Sequence, residues 1–81
     1  MIKVLFFAQT RELVGTDSVE LTGNYENVEA IRSELILKGD KWSLALEAGK
    51  LLVAVNQTIS SLDSTVSSGD EVAFFPPVTG G

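Results

Sequence analysis

The sequence predicts an α+β fold, a mixed sheet with one main helix lying across one face. Three observations predict it. Residues near the two ends, 2–7 and 71–75, alternate with a period of two and are mostly apolar, so each end of the chain reads as a strand. Between them Val28, Ile31 and Leu35 recur at helical spacing and form a single buried stripe. And 81 residues make one small domain, whose core suffices only if its regular elements pack economically.

Taken in order, Ile2 to Ala8 is a strand with Ile2, Val4 and Phe6 on one face and Lys3, Leu5 and Phe7 on the other. Apolar residues on both faces suggest a central strand, or one whose second face a partner covers. Gln9 to Val14 makes a short helical turn closed by Gly15. Asp17 to Leu21 alternates over a short span and reads as an edge strand, followed by a loop to Asn27. The main helix runs from Val28 to Lys38. Asn27 caps it, Glu29 suits its first turn, and Lys38 with Gly39 ends it, while Ile36 and Leu37 widen its apolar face. A second short helix spans Asp40 to Leu46, capped by Asp40, with Trp42, Ala45 and Leu46 facing inward. Ala48 to Lys50 turns the chain into a buried strand, Leu51 to Val55. Asn56-Gln57 is a tight turn, Thr58 to Leu62 a short returning strand, and Ser68-Gly69-Asp70 the turn before the last strand, Glu71 to Phe75. This order fits a β-grasp arrangement, with the first and last strands parallel and adjacent in the sheet centre.

Composition removes several function classes. With no cysteine there is no disulfide, thiolate metal site or thiol nucleophile, and with no histidine the usual general base and commonest metal ligand are missing. Six Lys and Arg against eleven Asp and Glu argue against nucleic acid as a partner and suit docking on a basic protein surface. No apolar run is long enough to span a membrane and the start lacks a signal-peptide layout, so no membrane association and a cytoplasmic location are expected.

The stretch after the last strand carries the functional expectation. Pro76-Pro77 ends any ladder, having no N–H to donate, and favours a stiff extended segment. Val78 and Thr79 follow, then Gly80-Gly81, which carry no side chain. Extended, residues 76–81 reach roughly 20 Å. A stiff stem with a bare tip and a carboxylate suits a narrow channel. The alternative is a frayed end, but such ends are usually polar, whereas Phe74 to Val78 is apolar. Residues 1–75 are therefore expected to form the β-grasp domain and 76–81 a flexible Gly-Gly tail.

The start Met1 to Gly15, the segment Leu51 to Gln57 and above all Gly69 to Gly81 together resemble the small subunit of molybdopterin synthase, the bacterial MoaD type of ubiquitin-like sulfur carrier. The resemblance covers the whole length, and Phe74-Phe-Pro-Pro-Val-Thr-Gly-Gly81 is its most specific part; a bare Gly-Gly end is shared with ubiquitin and the thiamine-pathway carrier. It implies a chain that is not an enzyme by itself. An ATP-using activating enzyme adenylates Gly81, sulfur replaces the adenylate to give a thiocarboxylate, and Gly80 lines the passage. Two small and two large subunits form the synthase, and the large subunit converts cyclic pyranopterin phosphate to molybdopterin. No cofactor is implied on this chain; ATP belongs to the activating enzyme. The residues agree: a terminal carboxylate near pKa 3.5 is ionised and unreactive until activated, and the chain has no phosphate-binding glycine loop of its own.

Phe7 and Phe75 are expected side by side on the sheet face opposite the helix, with Ile59 a candidate to join them. They are either core residues or a binding patch. Because Phe6 and Phe74 already supply core partners, the patch is favoured, and by resemblance it docks both the large subunit and the activating enzyme. Arg11 reads equally as a rim contact or a solvated helix charge. Pro76, Pro77, Val78 and Thr79 complete the partner-binding set. A competing function is a ubiquitin-like modifier ligated to lysines through Gly81; a third is a plain interaction module.

Overall fold

A computed structural model describes residues 1–76. Five strands form one mixed sheet: β1 (Ile2–Phe6), β2 (Ser18–Leu21), β3 (Leu52–Val55), β4 (Thr58–Ser60) and β5 (Glu71–Phe75), in the order β2-β1-β5-β3-β4. β1 and β5 run parallel, with Val4 opposite Val72 and Phe6 opposite Phe74. The last strand is thus the central one, flanked on its other side by antiparallel β3. A parallel pair needs a long crossover, and everything between residues 7 and 70 supplies it.

The crossover carries three helices, α1 (Ala8–Val14), α2 (Val28–Leu35) and α3 (Asp40–Ala45). α1 stops where Gly15, at φ 80°, donates its N–H to the Arg11 carbonyl. Asn27 caps α2 by accepting from the Ala30 N–H at 2.9 Å. Arg32 on α2 donates to the Glu29 carboxylate and, through Nη1, to the Leu46 carbonyl at 2.9 Å. It thereby ties the end of α3 to the side of α2. Between β3 and β4 Asn56 and Gln57 both have positive φ, 49° and 68°, the twist that a two-residue hairpin needs. The Asn56 side chain also receives the Glu71 N–H and donates to Asp70, fastening that hairpin to the start of β5.

The core lies between the sheet and the helices. Val28, Ile31 and Leu35 pack with Ile2, Val4, Phe6, Val72 and Phe74, joined by Leu46, Val53 and Val66. The Phe6 and Phe74 rings stack at 6.3 Å, and Trp42 meets Phe6 edge-on at 5.5 Å, an arrangement that suits ring quadrupoles.

Four local expectations are corrected. β1 ends at Phe6, and Ala8 already begins α1 at φ 52°. The main helix is α-helical only to Leu35; Ile36–Lys38 tightens into a 3₁₀ turn because the next helix starts two residues later. Asp40 is the first residue of α3 rather than its cap, a place where its charge still favours the helix dipole. Leu37 faces solvent at 83% exposure, so only Ile36 widens the apolar face. The tail boundary at residue 76 borders the described region, and Pro77, Val78, Thr79, Gly80 and Gly81 lie outside it.

Candidate functional site

Alternate residues of the same strands face away from the helices, and apart from Ala54 they stay partly or largely accessible. Leu5, Ala73 and Ala54 stand in register across β1, β5 and β3, and Ile59 on edge strand β4 is paired opposite Ala54. One row further along, toward the tail, Phe75 stands opposite Leu52. One row back, Glu20, Lys3 and Glu71 are in register. The open face is therefore graded. It is charged at one end and aromatic at the end from which the tail leaves.

Phe7 is placed at that aromatic end by backbone, not by ladder pairing alone. It keeps extended dihedrals, φ −125° and ψ 154°, so its side chain continues the alternation of Lys3 and Leu5. Its N–H donates to the Phe74 carbonyl at 3.2 Å. Ala8 then turns the chain sharply through the left-handed region, which for an L-residue costs about 1–2 kcal/mol. Phe7 is thus the last residue facing out before the chain turns into α1, and it is 46% exposed.

Together Phe7 and Phe75 wall a depression of about 630 Å³ with Leu5, over a floor of Ala54 and Ala73. Gln57 and Glu71 edge it. Two small residues between large ones are what make a flat sheet concave here. A monomer seldom leaves such an apolar hollow open unless something docks in it.

Phe7 and Phe75 are thus brought together. Ile59 shares their face and is 67% exposed, but it stands at the β4 edge outside the hollow. Arg11 is exposed on α1 and lines neither this hollow nor the second one. Pro76 opens the second, a groove of about 490 Å³ between α1 and α3. The sequence reading missed Leu5, Ala54 and Ala73. The signal that finds them is their even spacing from Phe7 and Phe75 along strands already assigned.

The titrating groups that are perturbed lie away from this site. Asp70 is held below the usual carboxylate range by the Ser67 N–H and then by Asn56. Arg32 likewise lowers Glu29. Tyr25 is pushed up to about 12 because its hydroxyl donates to the Glu34 carboxylate.

The ThiS family model matches residues 4–81. Two curated relatives, from Haemophilus influenzae and from Escherichia coli, are each 63% identical over 81 residues, covering all of both chains; each is named a molybdopterin synthase sulfur carrier subunit. Among solved structures, small archaeal modifier protein 1 from Methanosarcina acetivorans superposes with a TM-score of 0.77 at 26% identity, over 99% of this chain and 95% of the other.

Proposed function

The chain belongs to the ThiS family, and from that premise we propose that it is the sulfur carrier subunit of a molybdopterin synthase. The end-to-end match to two named sulfur carrier subunits carries the reading. The open face supports it. Phe7, Phe75 and Ile59 form the docking surface for the large subunit and, in turn, for an activating enzyme. Phe75 and Pro76 set the direction in which Pro77, Val78, Thr79, Gly80 and Gly81 leave.

The chemistry belongs to Gly81. A carboxylate oxygen attacks the α-phosphorus of ATP on the activating enzyme and pyrophosphate departs. Sulfur at the oxidation level of hydrosulfide then attacks the acyl carbon, its proton goes to solvent, and AMP leaves with the C–O electron pair. The thiocarboxylate sulfur bonds to a carbon of the pterin in the large subunit as an oxygen substituent leaves that carbon with its electron pair, and water then cleaves the acyl C–S bond, leaving the sulfur on the pterin and restoring the carboxylate. This chain supplies only a docked, correctly aimed end, so it is a carrier and not an enzyme alone. Gly80 and Gly81 pass where a side chain would jam. Pairs of small and large subunits assemble into a heterotetramer in the cytoplasm.

Deleting Gly81 tests the reading. It shortens the reach by about 3.3–3.6 Å, and a misplacement of about 1 Å can already cost on the order of a hundredfold. Folding and docking should persist while sulfur transfer disappears in an assay with purified partners. Transfer by the deleted protein would sink the reading. The archaeal modifier's likeness keeps a second reading in view, ligation of Gly81 to lysines. A lysine-linked conjugate with no oxygen-to-sulfur exchange at the terminus would favour it.

A further inference from the structure

The groove between α1 and α3 shares no lining residue with the hollow on the open sheet face. Thr10 and Leu13 of α1 form one side and Leu44 and Ala45 of α3 the other, with Pro76 at the root of the tail. Leu44 is left 60% exposed above it, although Trp42, Ala45 and Leu46 on the same turn of chain pack inward. The charged residues of the lining, Glu47 and Lys50, are opposite in sign and stand 3.8 Å apart, so the groove presents no net charge. Thr10 is 2% exposed, and its hydroxyl makes no hydrogen bond among the described residues. No unbonded side-chain oxygen is sealed from solvent among those residues, so this hydroxyl opens onto the groove it lines. A nearly buried hydroxyl left unbonded costs free energy that a bound acceptor recovers.

Resting on the carrier reading, we propose that this groove is a second docking site for the large subunit and that the activating enzyme leaves it uncovered. It takes a neutral, apolar side chain, with a main-chain carbonyl beside that side chain accepting from the Thr10 hydroxyl. Three observations select this occupant. Pro76 is part of the lining, so a partner that takes in the chain beyond residue 76 must close around Pro76 and thereby reaches the groove. The hollow alone is too small: it is lined by seven residues, whereas a stable interface engages about 20–30 a side. The groove residues supply much of the difference. Finally, the paired Glu47 and Lys50 give no advantage to a charged occupant of either sign, while Leu13, Leu44 and Ala45 favour an apolar one. The choice between the two partners follows from their duration. Lasting subunit interfaces are larger and more apolar than passing encounters, and an exposed leucine beside the tail root suits the first kind.

The experiment is calorimetric titration of the full chain with each purified partner, with Phe75→Ala as the reference for the hollow and a melting curve for every variant. Leu44→Glu should weaken docking to the large subunit about tenfold or more. Thr10→Val keeps the shape and removes the hydroxyl, and should weaken it about fivefold. Lys50→Gln should change it less than about twofold, because the occupant is neutral. None of the three should alter affinity for the activating enzyme. Hydrogen exchange of the wild-type complex needs no variant: amides of α1 and α3 should slow when the large subunit is added. Normal docking by Leu44→Glu beside weakened docking by Phe75→Ala would overturn this proposal and leave the carrier reading standing. Normal docking by both would sink the docking reading itself, and the groove with it. Equal weakening toward the activating enzyme would overturn the choice of partner. So would wild-type α1 and α3 amides that slow with protein concentration alone, which would assign the groove to a second copy.

Discussion

Phe74 and Phe75 are neighbours in one strand and meet opposite fates. Phe74 is fully buried under α2 and stacked on Phe6; Phe75 walls an open hollow on the other side of the same sheet. The contrast repeats along both central strands. Ile2, Val4, Phe6 and Val72 lie at 0–2% exposure, whereas Lys3, Leu5, Phe7 and Ala73 remain partly or largely accessible. The lesson is that hydrophobicity alone does not mark the core of this protein. Period-two alternation divides one apolar strand between a face that stabilises and a face that, in the reading proposed above, recognises a partner.

The sharpest way to break that division is from the stabilising side. Leu35→Ala removes a completely buried side chain from the α2 stripe and should destabilise by about 2–5 kcal/mol in denaturant unfolding. A loss well under 1 kcal/mol would mean that the helix does not close this face. The recognising side is probed by Ala73→Glu, which puts a charge on the floor of the hollow. Docking to the large subunit, measured by calorimetry, should weaken by about 2 kcal/mol, some thirtyfold, with little change in melting. Unchanged docking would move the interface elsewhere. Asn27→Ala deletes the α2 cap and should cost about 1 kcal/mol of stability while leaving docking alone.

The smallest expected effect is a pH dependence confined to groups outside the hollow. Glu29 and Asp70 have depressed folded-state pKa values, so their contribution is present above their ordinary pKa values and lost as pH falls through the lowered ones. Tyr25, raised to about 12, contributes below the ordinary tyrosine value and loses that contribution as pH rises through about 12. Melting temperature should be flat between, and docking through the hollow should not follow either limb. A docking titration across neutral pH would place an ionising group in the interface.

Much of this was legible because it is local. Alternation in residues 2–6 and 71–75 fixes both central strands, and Val28, Ile31 and Leu35 fix the helix stripe. Asn56-Gln57 announces its turn because asparagine tolerates positive φ. What was not legible depends on neighbours distant in sequence. Ala8 enters the left-handed region with no residue preference to betray it; the ladder bond at Phe7 and the start of α1 impose it. The outward turn of Leu37 and the groove beneath Leu44 follow from how α3 returns against α1. In the candidate site the aromatic walls stood out by size. The alanine floor did not, since a small residue signals only once its register is known.

One side-by-side measurement tests the two-faced account most directly: Phe74→Ala and Phe75→Ala, each scored for unfolding free energy and for docking of the folded protein to the large subunit. The account predicts a crossing. Phe74→Ala should lose about 3–5 kcal/mol of stability and dock normally once folded, with Phe74→Leu showing the same pattern more mildly. Phe75→Ala should lose about 1 kcal/mol or less but dock at least thirtyfold more weakly. Equal destabilisation by the two alanines, with docking unchanged in both, would contradict it.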